Sequence, residues 1–200
     1  MTKTTEILRG CDPILSKIIK AIPEPVIEST NDVFFDLMSC ILEQQIHYRS
    51  TKRIFQKMLE RADLQILTLE NFDQFEQKGF ANVKLSESKY ETILRTIDFF
   101  KDNQINWQVL SDDEIIAHLS SIKGIGKWTI DMILLYTLQR PNVFPSDDFH
   151  VKEIMVKLYG LDPNSRLKAQ MIDISNAWGA HKSLAVKYLL AWKDYNKKKK

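Results

Sequence analysis

Residues 119–132, LSSIKGIGKWTIDM, decide how this 200-residue chain is read. A helical apolar pattern runs up to Leu119, Gly124-Ile125-Gly126 makes a tight turn, and a second helical pattern starts at once. Gly124 and Gly126 are both expected to supply positive φ and close backbone approach, with Ile125 anchoring the turn. Such a turn aims backbone N–H groups and the positive end of a helix outward, which suits phosphate. Lys127 is placed to add one direct phosphate contact. Taken alone, Gly-x-Gly fits a plain helix–helix connection equally well. It is not a Walker loop, since the four-residue spacer and the preceding strand are missing.

Outward from the turn, helical periodicity continues in both directions. Asp12-Pro13 reads as an N-cap followed by Pro at the first helical position, opening a helix over 13–22. Val33, Phe34, Leu37, Met38, Ile41 and Leu42 mark a buried helix over 32–45. Further helices are predicted over 50–59 and 72–78, then after Ser88 and after Ser111. Both serines have a Glu three residues on, the capping-box spacing. The hairpin occupies about 115–139, and helices follow at 148–159, 165–176 and 182–195. No stretch alternates like a strand, and no repeat or long Gly/Ser linker occurs. The expected fold is all-α, with nine or ten helices in one domain, and a flexible tail over 196–200.

Composition narrows the function classes. Apolar residues are 44% of the chain and charged residues 27%, enough core and too little charge imbalance for disorder. Net charge is +2, but the last four residues are all lysine. Without them the balance is 24 basic against 26 acidic side chains, net −2. Bulk charge therefore makes no case for nucleic-acid binding, and any such binding needs a local device. Cys11 and Cys40 are the only cysteines, so a four-cysteine zinc or iron–sulfur site is excluded. Two buried free thiols suit a reducing cytoplasm. His47, His118, His150 and His181 lack metal-ligand spacing, and no apolar run reaches the ~20 residues of a membrane span. The N-terminus carries no secretory signal.

Beyond the hairpin lies a Pro-rich segment, 140–151, RPNVFPSDDFHV, with Asp at a helix start. The hairpin, this loop and their interval resemble the helix-hairpin-helix superfamily of base-excision DNA glycosylases. Gly-Ile-Gly-x-Trp-Thr and Val-Phe-Pro-x-Asp-Asp are similar to its alkylpurine branch, the 3-methyladenine DNA glycosylase II type. So is 41–46, ILEQQI, and so is 178–185, WGAHKSLA, where Ala180 and Lys182 replace a Pro and an Arg. The resemblance spans about 34–192 and implies two helical lobes around a lesion cleft, without an N-terminal β domain.

It also implies roles. Asp148 would be the catalytic carboxylate, stabilising oxocarbenium-like charge or orienting water, with Asp147 a cap or neighbour. On local pattern alone, both aspartates are equally readable as helix caps. Trp128 stands where lyase-competent relatives carry a Schiff-base lysine, so the enzyme would release the base without cutting the strand. Trp128 would stack on a cationic alkylated base, or pack as core. Gln45 would fill the gap left by the flipped nucleotide, with Gln44, His47 and Tyr48 beside it. Gly124, Ile125, Gly126, Lys127 and Thr129, with Lys84 and Lys89, would contact DNA backbone. The carbonyls of Ser120, Ile122 and Ile125 would hold a monovalent cation; no other cofactor is implied. The partner would be double-stranded DNA with damaged bases, met by a monomer in the cytoplasm, at the nucleoid or in the nucleus. Competing readings are a non-catalytic hairpin protein that binds lesions, and a glycosylase for deaminated bases such as hypoxanthine or uracil.

Overall fold

The structure is a computed structural model that describes residues 2–43, 52–81 and 83–198. Among these residues there is no strand, and eleven α-helical segments make the fold all-α. The chain forms two compact units. One comprises residues 1–28 with 134–200, and the other residues 29–133.

The unit over 29–133 is built on α3 (Val33–Leu42), whose residues are buried on almost every side. Asp32 caps it by accepting the Phe35 N–H at 2.9 Å. Around it stand α4 (Lys52–Arg61), the short α5 (Phe72–Gln74) and α6 (Glu87–Asp102). A π segment, Phe75–Gly79, continues α5. Phe35, Phe55, Phe72, Phe75 and Phe80 interlock edge-on, with centroids 5.1 to 6.5 Å apart, and supply much of this core. The N-cap of α6 is Ser86, two residues before the capping box expected at Ser88. The Ser86 hydroxyl accepts the Lys89 N–H, whereas Ser88 already lies inside the helix. At α7 (Asp112–Ser120) the expected box is present, Ser111 and Glu114 each serving the other's backbone N–H. His118 is half-buried, edge-on to Phe99 and Trp107, rather than on an open helix surface. α8 (Lys127–Met132) follows the Gly-Ile-Gly turn and runs into a second π segment, Ile133–Thr137.

The unit over 1–28 and 134–200 opens with a helix the periodicity missed, α1 (Lys3–Cys11). Its apolar content is slight, and packing on α2 (Pro13–Ala21) secures it instead. α9 (Phe149–Tyr159) ends at Gly160 in the left-handed region, and α10 (Leu167–Asn176) follows. α11 (Lys182–Lys198) packs on α2 and α9 and continues three residues past the expected end at 195. Residues 196–198 of the supposed flexible tail are therefore helical. Cys40 is buried, but Cys11 is only half-buried, against the expectation of two buried thiols.

Candidate active site

The hairpin is fixed from below by Gly124, which takes φ +106°. A Cβ there would meet Thr92 Oγ1 of α6 at 2.1 Å, so both conformation and contact demand glycine. Ile122 and Ile125 are buried, and the Ile125 N–H donates to the Ile122 carbonyl at 3.0 Å, closing the turn. Gly126 corrects the expectation of two alike glycines. Its backbone is extended at φ −96°, and a Cβ there would meet nothing within 4 Å. Packing within the chain does not require a glycine at 126.

Lys127 is not a free cation. Its ammonium binds both oxygens of Asp131, at 2.6 and 2.7 Å, one turn along α8. The Asp131 carboxylate is only 8% exposed, so the pair is anchored at its acidic end. Nothing in the sequence flagged Asp131 beyond its i,i+4 spacing from Lys127. Thr129 is buried at 2% exposure, which removes its side chain from the phosphate-facing set. Trp128 is half-buried. Lys84 is exposed and Lys89 half-buried at the start of α6.

Gln44, Gln45, His47 and Tyr48 lie outside the described residues. Glu43, just before them, makes a structural contact that sequence reasoning missed. Its buried carboxylate accepts the Phe55 N–H of α4 at 2.9 Å, tying the first turns of α4 back to the end of α3. The glutamate of 41–46 is a brace.

In the other unit, Asp148 caps α9. Its Oδ1 accepts the N–H groups of His150 and Val151, both at 2.9 Å, and the residue is 8% exposed. Here charge adds to hydrogen-bond strength, and the helix N-terminus favours an anion. Of the two roles open to Asp147, cap or neighbour, the cap belongs to Asp148. Asp147 faces Lys168 at 2.9 Å and Lys152 at 3.8 Å on the surface. Oδ1 is thus the oxygen of Asp148 that caps α9.

The loop that delivers Asp148 is pinned from the 178–185 motif. Ser183 Oγ accepts the Val143 N–H at 2.9 Å and donates to the Arg140 carbonyl. The Ser183 N–H donates to the Pro141 carbonyl at 3.0 Å. Trp178 is fully buried and meets Phe144 edge-on at 5.7 Å. This motif therefore holds the Pro-rich loop in place. Ser183→Ala leaves the buried Val143 N–H without its acceptor, and should cost about 1–3 kcal/mol in urea denaturation.

Comparison with known proteins fits this geometry. Residues 38–178 match the family described as HhH-GPD superfamily base excision DNA repair protein. DNA-3-methyladenine glycosylase 1 of Schizosaccharomyces pombe is 27% identical over 212 residues, covering 98% of this chain and 91% of that protein. A putative DNA-3-methyladenine glycosylase of Bacillus subtilis is 26% identical over 166 residues, 78% of this chain and 58% of its own length. Among solved structures, the Schizosaccharomyces pombe 3-methyladenine DNA glycosylase in complex with abasic DNA superposes with TM-score 0.76 at 22% identity. That superposition covers 94% of this chain and 95% of the other. A DNA-3-methyladenine glycosidase from Bacillus halodurans gives TM-score 0.74 at 22% identity, covering 95% and 88%. With the family match spanning well over half its length, the chain belongs to the HhH-GPD superfamily of base excision DNA repair proteins.

Proposed function

We infer that this protein is a monofunctional DNA glycosylase that hydrolyses the N-glycosidic bond of alkylated purines, of the 3-methyladenine and 7-methylguanine type. Its substrate is double-stranded DNA, from which the damaged nucleotide is flipped out. The observation that carries this reading is Asp148, a carboxylate oriented by two backbone N–H groups at the start of α9. It stands in a chain of the base-excision superfamily whose near full-length relative is named a DNA-3-methyladenine glycosylase.

The chemistry asks little of the protein. An alkylated purine carries positive charge on its glycosidic nitrogen system and leaves as a neutral base, so no acid is needed to protonate it. What must be stabilised is oxocarbenium-like charge on the sugar, and a fixed carboxylate supplies that. Water then adds at the sugar carbon and the proton passes to solvent, leaving an abasic strand. Trp128 takes the position of a Schiff-base amine, and the neighbouring Lys127 is paired with Asp131, so strand cleavage by amine attack lacks its nucleophile.

DNA is held at the hairpin by the N–H groups around Gly126, with Lys84 and Lys89 as further phosphate contacts. The carbonyls of Ser120, Ile122 and Ile125 would hold a monovalent cation. All three are neutral oxygens, Ser120 at the end of α7 and Ile122 and Ile125 in the turn, and among the described residues no three His, Cys, Asp or Glu side chains converge to form another site. A cation there would add positive charge facing phosphate. No helix among the described residues is long and apolar enough to cross a membrane. The proposed setting is the DNA-containing compartment: nucleoid or nucleus.

Single-turnover base release from methylated duplex DNA tests the reading. Free methylpurine and an intact abasic strand are expected. Tight lesion binding without release would favour the non-catalytic reading, and release confined to hypoxanthine or uracil would move the substrate. The hairpin makes a separate prediction. Because Asp131 already neutralises Lys127, Lys127→Ala should change the log–log salt slope of DNA binding by less than about one. Asp131→Asn, which frees the ammonium, should tighten binding and steepen that slope by about one, measured by fluorescence anisotropy.

A further inference from the structure

Beside Asp148 lies a charged cluster that the proposed reaction does not use. Lys193 of α11 is only 7% exposed, unusual for a lysine. Its ammonium contacts Nδ1 of His150 and lies 2.5 Å from Glu153 Oε2. It also sits over the exposed Phe149 ring, 5.9 Å from the centroid. The three residues Phe149, His150 and Glu153 belong to the first turns of α9, and the His150 N–H is one of the two that orient Asp148.

An ammonium has only donors to offer. Its contact with Nδ1 therefore requires that nitrogen to accept, which leaves the imidazole proton on Nε2. A second proton on Nδ1 would set an imidazolium directly against a buried ammonium. We propose that Lys193 is a positioning residue that locks His150 as the neutral Nε2–H tautomer, keeping positive charge off the turn that presents Asp148. Glu153 balances the ammonium, so the cluster is neutral as a whole. The functional half of this inference rests on the glycosylase reading: an imidazolium beside Asp148 would pair with the charge that the sugar needs.

Every charged group around the ring bears on this. Burial, then Lys193, with a smaller push from Lys197 on the same helix, hold His150 below the usual histidine range, while Asp148 and Glu153 oppose them. The hydrogen bond from Lys193 holds the Glu153 carboxyl below its ordinary value, so the counter-charge persists in mild acid. The sign for stability follows. The unfolded chain binds the His150 proton more readily than the folded one, so folding stability falls as pH drops below 6.5 toward the depressed folded value. Lys193→Met should shrink that contribution, read as a smaller change in the urea midpoint across the window.

Two measurements test the lock. Long-range nitrogen–proton NMR on the intact protein should give a bare Nδ1 and a protonated Nε2 for His150, without a titration step near the usual histidine value. A protonated Nδ1, or a midpoint at or above about 6.5, overturns the proposal. In single-turnover base release, wild type should be nearly flat between about pH 5 and 8, while Lys193→Met loses roughly tenfold toward the acid end. Adding His150→Phe, which removes the titrating ring, should flatten that profile again. A Lys193→Met defect equal at all pH values and unchanged by His150→Phe would mean bulk packing alone, and the proposal fails. If wild type releases no base, the glycosylase reading falls while the NMR result still decides the tautomer.

Discussion

Asp148→Asn is expected to slow single-turnover release of methylated purines by about 10²–10³-fold, the range for losing one preorganised electrostatic group. Under the proposed function Asp148 would combine two roles, helix cap and catalytic charge. As a cap, its Oδ1 accepts from His150 and Val151, and Asn is as good an N-cap as Asp. The cap's shape and its two backbone hydrogen bonds survive, while the negative charge is lost. The thermal midpoint should therefore stay nearly constant while the rate falls by about 3–4 kcal/mol of barrier. Asp148→Ala loses cap and charge together, so it should be both slow and less stable by about 1 kcal/mol. Asp147→Asn is the control: its surface contacts with Lys152 and Lys168 are worth little, and base release should hardly change. Undiminished release by Asp148→Asn would reduce the residue to a helix cap.

Much of this was legible in the sequence, and the misses share a cause. Local rules found what local chemistry decides. The apolar spacing of α3, the Ser111–Glu114 box and the Asp12-Pro13 helix start are all present. They failed where tertiary contacts decide. Gly124 and Gly126 look identical in sequence, yet only Gly124 lies against Thr92, 32 residues earlier in the chain. α1 exists because α2 covers it, not because its own pattern is strong. Lys193 lies between Trp192 and Asp194 near the end of the chain, and its burial against α9 cannot be inferred from those neighbours. Lys127 and Asp131 were readable as an i,i+4 pair, but the burial that fixes the acid was not. Asp148 was singled out through its motif and the structure places it as the α9 cap, while the braces Glu43 and Ser183 emerge only from the packing.

Asp12→Ala should destabilise the protein strongly, by about 4 kcal/mol, from the loss of two roles on two oxygens. Oδ1 caps α2, accepting from Ile14 at 2.8 Å and Leu15 at 3.0 Å. Oδ2 accepts from the Tyr159 hydroxyl at 2.6 Å and the Trp178 indole N–H at 2.8 Å. One buried carboxylate thus joins α2, the end of α9 and the 178–185 motif within a single unit. Burial and the adjacent Asp12 push the Tyr159 phenol far above its ordinary range, so it remains a donor at every physiological pH. Alanine removes a cap worth about 0.5–2 kcal/mol and strands two enclosed donors at about 1–3 kcal/mol each. For a protein of this size the thermal midpoint should fall by roughly 10 °C. Asp12→Asn discriminates the two roles. Its carbonyl can serve either the cap or the distant donors, and its amide then faces the other set as a donor against donors, so it should recover less than half of the loss. Pairing Asp12→Ala with Tyr159→Phe removes one stranded donor together with its acceptor. The double variant should then be less destabilised than the sum of the two singles, by about 1 kcal/mol or more. Strict additivity would mean that the hydroxyl and the carboxylate do not share their energy, leaving the cap and the Trp178 N–H to account for the effect.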